Sequence, residues 1–103
     1  MQIEFDAAKQ ARTLAERGLD FADAAQVFAG VNYTVADDRK PYGEERFFTI
    51  GLLAGREVVL VWTPRGAVRR IISMRYANER EIARYRPAMG RSGRRPGVGR
   101  RTL

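Results

Sequence analysis

Residues 68–86 read Val-Arg-Arg-Ile-Ile-Ser-Met-Arg-Tyr-Ala-Asn-Glu-Arg-Glu-Ile-Ala-Arg-Tyr-Arg, and the prediction of the fold starts from them. The first half alternates as a strand does, because successive side chains of a strand point to opposite faces. One predicted face carries two cations, an apolar residue and a hydroxyl: Arg69, Ile71, Ser73 and Arg75. Asn78 then predicts a helix start, with Glu79 and Glu81 near its positive N-terminal end. The stretch therefore predicts a strand that leads directly into a helix.

Two interpretations of the arginine-bearing face stay open. An antiparallel sheet often has one solvated face, so the arginines can be ordinary surface residues of an edge strand. Alternatively, the strand is a rigid platform that presents two cations and a hydroxyl to an anionic ligand. Residue types alone favour the first interpretation.

Upstream of this stretch, the sequence predicts two helices and three strands. The first helix runs from Asp6 to about Arg17 and ends at Gly18, and the second runs from Asp20 to Gly30. The apolar side of the first helix carries small residues and one leucine: Ala8, Ala11, Leu14 and Ala15. Strands are predicted at residues 32–36, 47–53 and 57–63. The last of these is apolar on both faces and should therefore be central.

The turn signals predict how these strands are connected. Thr63-Pro64-Arg65-Gly66 fits a type I turn, so the last three strands should form an antiparallel meander, with residues 32–36 at an edge. The helices are expected to cover one face. The predicted fold is α+β, with two N-terminal helices, an antiparallel sheet of three to four strands and one C-terminal helix. Residues 1–86 form the predicted domain, and residues 87–103 form a basic, disordered tail.

Composition excludes several kinds of site. The 103 residues include no histidine and no cysteine, so histidine acid–base catalysis, a Ser-His-Asp triad and thiolate or imidazole metal sites are excluded. We expect no cofactor and no metal. No apolar run approaches the ~20 residues of a membrane helix, and residues 1–6 do not resemble a signal peptide. We therefore expect a cytoplasmic protein with no membrane partner.

The net charge of +7 is unevenly distributed. Residues 87–103 contain five arginines and no acidic residue, whereas residues 1–86 contain 14 basic and 12 acidic residues, a balance of +2. The basicity of the whole chain is therefore weak support for nucleic-acid binding by the folded domain.

Several short segments form three groups along the chain. The first group contains Phe5-Asp6, Lys9, Gly18, Phe21, Ala24-Ala25 and Val27-Phe28. The second contains Glu44-Glu45-Arg46, Ile50-Gly51 and the apolar run 58–62. The third contains Arg70-Ile71-Ile72-Ser73, Arg75, Ala77, Glu81 and Tyr85. No single segment is specific, but the ordered set over residues 3–86 is, and it resembles the BrnT toxins of bacterial type II toxin–antitoxin systems.

The resemblance implies a RelE-like fold and a ribonuclease that inhibits translation and growth. It also implies neutralisation by a BrnA-like antitoxin with a ribbon-helix-helix domain, in a 2:2 complex. Through the antitoxin, the complex would bind operator DNA and repress its own promoter. The sequence departs from the family at Thr13, Glu16 and Arg17, where members usually carry Asn, Lys and His.

Metal-independent RNA cleavage uses the 2′-hydroxyl as nucleophile and passes through a charged phosphorane, which positive charge stabilises. Arginine suits this task because its planar fork binds phosphate oxygens bidentately. The predicted catalytic residues are Arg46, Arg69, Ser73, Arg75, Glu45 and Tyr85. Arg69 and Arg75 should share one face of a strand and converge with Arg46 across the sheet. Glu45, Lys9 and Tyr85 are weaker candidates for proton transfer.

The residues predicted to bind RNA are Lys9, Arg17 and Arg70. Each arginine can instead form a salt bridge or contact an antitoxin. Two other functions stay open: a catalytically weakened homologue that binds antitoxin or RNA without cleavage, and an RNA-binding domain that acts through its basic tail.

Overall fold

The computed structural model describes residues 2–39, 41–92 and 98–99, which form an α+β domain. In chain order its elements are β1 (Gln2–Glu4), α1 (Ala7–Arg17), α2 (Ala24–Ala29), β2 (Asn32–Ala36), β3 (Phe47–Leu53), β4 (Arg56–Arg65), β5 (Val68–Tyr76), α3 (Glu79–Ser92) and β6 (Val98–Gly99). A short 3₁₀ turn, Phe21–Asp23, leads into α2.

The strands form one mixed sheet in the order β1-β5-β4-β3-β2-β6. Antiparallel pairing joins β2 to β5 through β3 and β4, while β1 lies parallel to β5 and the two-residue β6 lies parallel to β2. The prediction of three to four antiparallel strands was therefore wrong, because the described residues form a mixed sheet of six strands in which two pairings are parallel. The three residues of β1 are too few to show a strand period, and their partner is far away in sequence.

A β-bulge in β5 changes which residues share a face. Val61 lies opposite Ser73, but Trp62 lies opposite Ile71, so Ile72 is an extra residue on β5. Consequently, the side chains before the bulge and those after it do not follow one continuous alternation between the two faces of the sheet. The expectation that Arg69 and Arg75 share one face was wrong for this reason.

Helices cover both faces of the sheet. On the face that we call the α2 face, Val58, Leu60 and Trp62 of β4 pack with residues of α2 such as Phe28. On the opposite face, the α3 face, Val59 packs with residues of α3, including Tyr85 and Met89. The expectation that the helices cover one face was wrong, because β4 is apolar on both sides and both sides need a cover.

The C-terminal helix extends beyond the predicted domain boundary. α3 continues from Glu79 through Pro87 to Ser92. The predicted disordered tail falls mainly on residues 93–97 and 100–103, which lie outside the described residues. None of the helices in the described part of the chain has the length and apolarity needed to cross a bilayer.

A close approach between α2 and β3 depends on Gly51. A Cβ atom on Gly51 would lie 2.6 Å from Cγ1 of Val27 and 3.1 Å from Cβ of Asn32. Because both neighbours are buried, we expect Gly51→Ala to lower the free energy of unfolding by about 1–3 kcal/mol, measured by urea denaturation. Gly30→Ala is the control, since its Cβ would meet only the Gln26 carbonyl oxygen at 3.6 Å. Equal stability of the two variants would contradict this packing.

Candidate functional site

A cleft of about 260 Å³ lies between α1 and β5. β1 ends at Glu4, opposite Arg70. The part of the β5 edge that follows Arg70 is therefore not paired with β1, and α1 lies beside it. The cleft, which we call the α1–β5 cleft, is lined by Lys9, Arg12, Thr13, Glu16 and Arg17 of α1 and by Ile72 and Ser73 of β5. The lining residues of α1 recur three or four positions apart, so they share one side of the helix.

Caps at both ends define α1. The Asp6 side chain accepts a hydrogen bond from the Ala8 backbone N–H at 2.9 Å. At the other end, Gly18 has φ 70°, and its N–H donates to the Leu14 carbonyl oxygen. This left-handed position favours glycine. The side chains that line the cleft therefore sit on a helix with fixed ends.

Polar contacts hold α1 against the rest of the domain. Arg17 Nη1 donates to the Met74 carbonyl oxygen of β5 at 2.9 Å. Gln10 Nε2 donates to Asp20 Oδ1 at 2.8 Å, and this bond lowers the pKa of the Asp20 carboxyl, with help from the Ala22 N–H. The cleft wall is therefore attached through hydrogen bonds, and the one to Met74 places a guanidinium at the cleft.

The cleft combines groups that suit a phosphodiester. Lys9, Arg12 and Arg17 are cations, Glu16 is a carboxylate, and Ser73 is a hydroxyl on the opposite wall. Cations bind phosphate oxygens and stabilise the charge that develops on them during transfer. A carboxylate nearby can accept a proton. The site can therefore bind an anion and supply a base.

Arg75 lies on the α3 face and is committed to a carboxylate. Its Nη1 and Nη2 lie 2.8 and 2.7 Å from the two Glu81 oxygens. Glu81 also accepts from the Asn78 N–H, while the Asn78 side chain accepts from the Glu81 N–H, a reciprocal cap of α3. The hydrogen bond with Arg75 lowers the pKa of Glu81, and the same bond raises that of Arg75. Arg75 thus joins β5 to the start of α3.

The Arg75–Glu81 pair should make stability depend on pH. Because the folded-state pKa of Glu81 is lowered, the pair contributes fully above the ordinary value of 4.5, and the contribution is lost as pH falls through the lower folded value. We expect Glu81→Gln to lower the free energy of unfolding by about 1–2 kcal/mol near neutral pH and by little near pH ~2. Urea denaturation across this range measures the difference.

Glu79→Gln is the matched control for that experiment. Glu79 is exposed in the first turn of α3, none of the ion pairs found within the described residues includes it, and its replacement removes the same charge. We expect a change within about 0.5 kcal/mol at either pH. A Glu81→Gln effect that stays constant with pH would contradict the assigned ion pair.

Arg69 lies on the α2 face, away from Arg75. Its guanidinium carbon is 4.5 Å from the centroid of the Phe28 ring and 4.3 Å from that of Trp62. None of the ion pairs found within the described residues includes Arg69. Burial lowers its pKa. Cation–π contacts of this kind hold the side chain in place without a carboxylate.

Arg46 and Arg70 also lie outside the cleft. Arg46 Nε is 3.4 Å from Glu44 Oε2, and its guanidinium lies 4.0 Å above the Tyr42 ring. Arg70 Nη1 donates to Glu4 Oε2 at 2.8 Å and so joins β5 to β1. The structure therefore does not bring Arg46, Arg69 and Arg75 together across the sheet as predicted.

The remaining predicted residues are divided between core and surface. Tyr85 is buried on the α3 face, where its ring stacks with Tyr33 and contacts Phe48. Glu45 is exposed, and its carbonyl oxygen accepts from the Thr63 hydroxyl. Of the predicted site residues, only Lys9, Arg17 and Ser73 line the α1–β5 cleft.

Sequence reasoning missed Arg12 as a lining residue. Its signal was available, because Lys9, Arg12 and Glu16 follow the spacing of one helix side. Outside the cleft, the buried side chain of Asp37 is bound bidentately by Arg39. Within residues 2–39, 41–92 and 98–99, no group of three or more acidic side chains is arranged to hold a metal ion.

Two comparisons with known proteins bear on this site. A family model described as "Ribonuclease toxin, BrnT, of type II toxin-antitoxin system" matches residues 5–81. This range includes α1 and β5, and hence every residue that lines the cleft. The comparison with curated proteins gave no match.

Proposed function

Because the chain belongs to the BrnT family of ribonuclease toxins of type II toxin–antitoxin systems, we propose that it cleaves RNA in the α1–β5 cleft and so inhibits translation and growth. The observation that carries this proposal is the cleft itself, in which three cations, a carboxylate and a hydroxyl meet. The protein acts in the cytoplasm, where its RNA substrates are.

In the proposed reaction, the 2′-hydroxyl of RNA attacks the adjacent phosphate. Glu16 accepts the hydroxyl proton as the 2′-O–P bond forms. The P–O5′ bond then breaks, and the Lys9 ammonium protonates the leaving 5′-oxygen. Arg12 and Arg17 stabilise the phosphorane, and Ser73 donates a hydrogen bond to it. The products are a 2′,3′-cyclic phosphate and a 5′-hydroxyl.

This reaction needs no metal ion, and two properties of the chain support that proposal. The sequence contains neither histidine nor cysteine, which are frequent ligands of catalytic transition metals. The cleft also contains several fixed cations that can take over the stabilisation of charge which a metal ion often provides. Addition of a chelator should therefore leave cleavage unchanged.

The predicted residues outside the cleft have other proposed roles. Arg69 contacts the RNA backbone beyond the cleft. This role is supported by the ion pairs found within the described residues, because none of them includes Arg69. Arg46, Arg70 and Arg75 act mainly through their ion pairs. Tyr85 acts through packing, and Glu45 is a surface residue.

Family membership implies an antitoxin as the protein partner. We further propose that this antitoxin is BrnA-like, that it carries a ribbon-helix-helix DNA-binding domain and that it forms a 2:2 complex with the toxin. Through the antitoxin, the complex binds operator DNA and represses its own promoter. The basic balance of the toxin would favour association with an acidic partner segment.

A specific observation favours a second candidate function. All three departures from the resembled family pattern, Thr13, Glu16 and Arg17, line the α1–β5 cleft. Changes concentrated in one site are what a weakened enzyme would show. In that case the protein is a homologue that binds antitoxin or RNA without cleaving it.

Expression of the chain alone in a bacterial host separates the two functions. The proposed ribonuclease stops growth and fragments RNA, and co-expression of the small protein encoded beside it restores growth. Normal growth with soluble, folded protein would contradict the ribonuclease and favour the non-catalytic partner.

A further inference from the structure

The amphipathic helix α1 is oriented with its apolar side outward. None of its eleven residues is buried. The small and apolar residues fall on one side, which we call the α1 stripe: Ala7, Ala8, Ala11, Leu14 and Ala15, all exposed. Leu14 retains 48% of its exposure, the largest value among the exposed large hydrophobic residues of the described chain.

The polar side of the same helix faces the domain. Gln10 and Arg17 make the hydrogen bonds to Asp20 and to the Met74 carbonyl oxygen. Lys9 and Thr13 are partly buried at the cleft. A surface helix normally buries its apolar side and exposes its polar side. The reversed arrangement of α1 leaves a row of apolar side chains exposed to solvent.

Resting on the proposed function, we propose that the α1 stripe is the docking surface for an amphipathic helix of the antitoxin with apolar residues in the centre and acidic residues at the flanks. Family membership already implies an antitoxin partner. An exposed helical stripe fits a second helix that inserts its own apolar residues at the same spacing.

Charge specifies the flanks of the partner. Arg12 lies one turn from Ala8 and Ala15 on one border of the stripe, while Arg17 lies one turn from Leu14 on the other. Acidic residues on the docked helix would pair with both guanidinium groups. On α1 itself, Lys9, Arg12 and Arg17 outnumber the single acidic residue Glu16, so an acidic partner segment is electrostatically favoured over a second copy of this helix.

Docking on the stripe explains neutralisation without a rearrangement of the domain. Arg12 and Arg17 border the stripe and also line the α1–β5 cleft. A partner that pairs with them withdraws two of the three cations that the proposed reaction uses. The helix therefore carries the catalytic cations on one side and the inhibitory surface on the other.

The test uses a double variant, Ala11→Glu with Leu14→Glu, in the full chain. Neither residue lines the cleft, and both are exposed, so folding and RNA cleavage without antitoxin should be unchanged. Binding of the purified small protein encoded beside this chain is measured by calorimetry. We expect the affinity to fall at least about 30-fold, the loss typical of a central interface residue.

The control is Val31→Glu with Leu52→Glu. It adds the same two charges at the other exposed large hydrophobic residues, which are 38% and 37% exposed. We expect wild-type antitoxin affinity for this control. Equal loss in both variants, or no loss in the α1 variant, would overturn the proposal.

Three further outcomes also decide whether the α1 stripe is the docking surface. If the chain alone forms a dimer that Leu14→Glu dissociates, the stripe binds a second copy and the proposal is overturned. If the wild-type chain binds the antitoxin but does not cleave RNA, the affinity measurement still decides the docking surface, while the proposed ribonuclease fails separately. No binding by the wild-type chain overturns the proposal directly.

Discussion

Lys9→Gln lowers kcat for RNA cleavage by about 10²–10³-fold, the loss expected when one preorganised donor to a charged transition state is removed. Lys9 lines the cleft and takes part in none of the ion pairs within the described residues, so its charge is available to the substrate. In the proposed reaction, the Lys9 ammonium also supplies the proton for the leaving oxygen. The rate is measured under single-turnover conditions with a short labelled RNA.

Two variants make this result specific. Arg80→Gln removes one positive charge from an exposed position on α3, and we expect a change in kcat of less than about threefold. Lys9→Arg keeps the charge but provides a much weaker proton donor, so it should recover RNA binding and only part of the rate. If Lys9→Gln and Arg80→Gln behave alike, Lys9 acts only through overall charge, and the assigned role is contradicted.

We expect Glu16→Gln to lower kcat by about 10²–10⁴-fold without raising KM, because it removes the proposed general base and not a proposed contact to phosphate. The loss of a negative charge beside three cations should, if anything, strengthen RNA binding. Single-turnover rates measured over a range of RNA concentrations give both effects.

Glu79→Gln is the matched control, because it removes one carboxylate from an exposed position outside the cleft. Its rates should be those of the wild type. If Glu16→Gln retains full activity, another group accepts the proton. If the wild type is inactive and Glu16→Lys restores cleavage, the weakened-toxin function is correct.

Local patterns predicted much of the secondary structure. β2 and β3 begin and end where the sequence indicates, because turn residues bound both strands. The residues Asp6 and Gly18 also bound α1 as their capping chemistry requires. These features depend on neighbours in sequence, which a single sequence displays directly.

Features that depend on distant contacts were not predictable. β1 forms by parallel pairing with β5, more than sixty residues away, and its three residues carry no period. The bulge at Ile72 gives no local signal, because Ile71 and Ile72 both suit a regular strand. Without the bulge, Arg69 and Arg75 would have shared a face, and a sheet-based site would have followed.

The sequence predicted only part of the candidate site, because the orientation of α1 depends on contacts with residues outside the helix. The family resemblance led to Lys9, Arg17 and Ser73, which line one cleft. Amphipathic spacing showed that α1 has an apolar side, but it did not show which side would face the domain. That choice is made by the contacts of Gln10 and Arg17 with residues outside the helix.

The central claim is metal-independent RNA cleavage in the α1–β5 cleft. It is tested most directly by incubating the purified wild-type chain and its Lys9→Gln variant with a 5′-labelled RNA in excess chelator, and then identifying the ends of the products. We expect fragments with 2′,3′-cyclic phosphate and 5′-hydroxyl ends from the wild type, and intact RNA from the variant over the same time. Intact RNA with the wild type, or cleavage that requires added divalent cations, would contradict it.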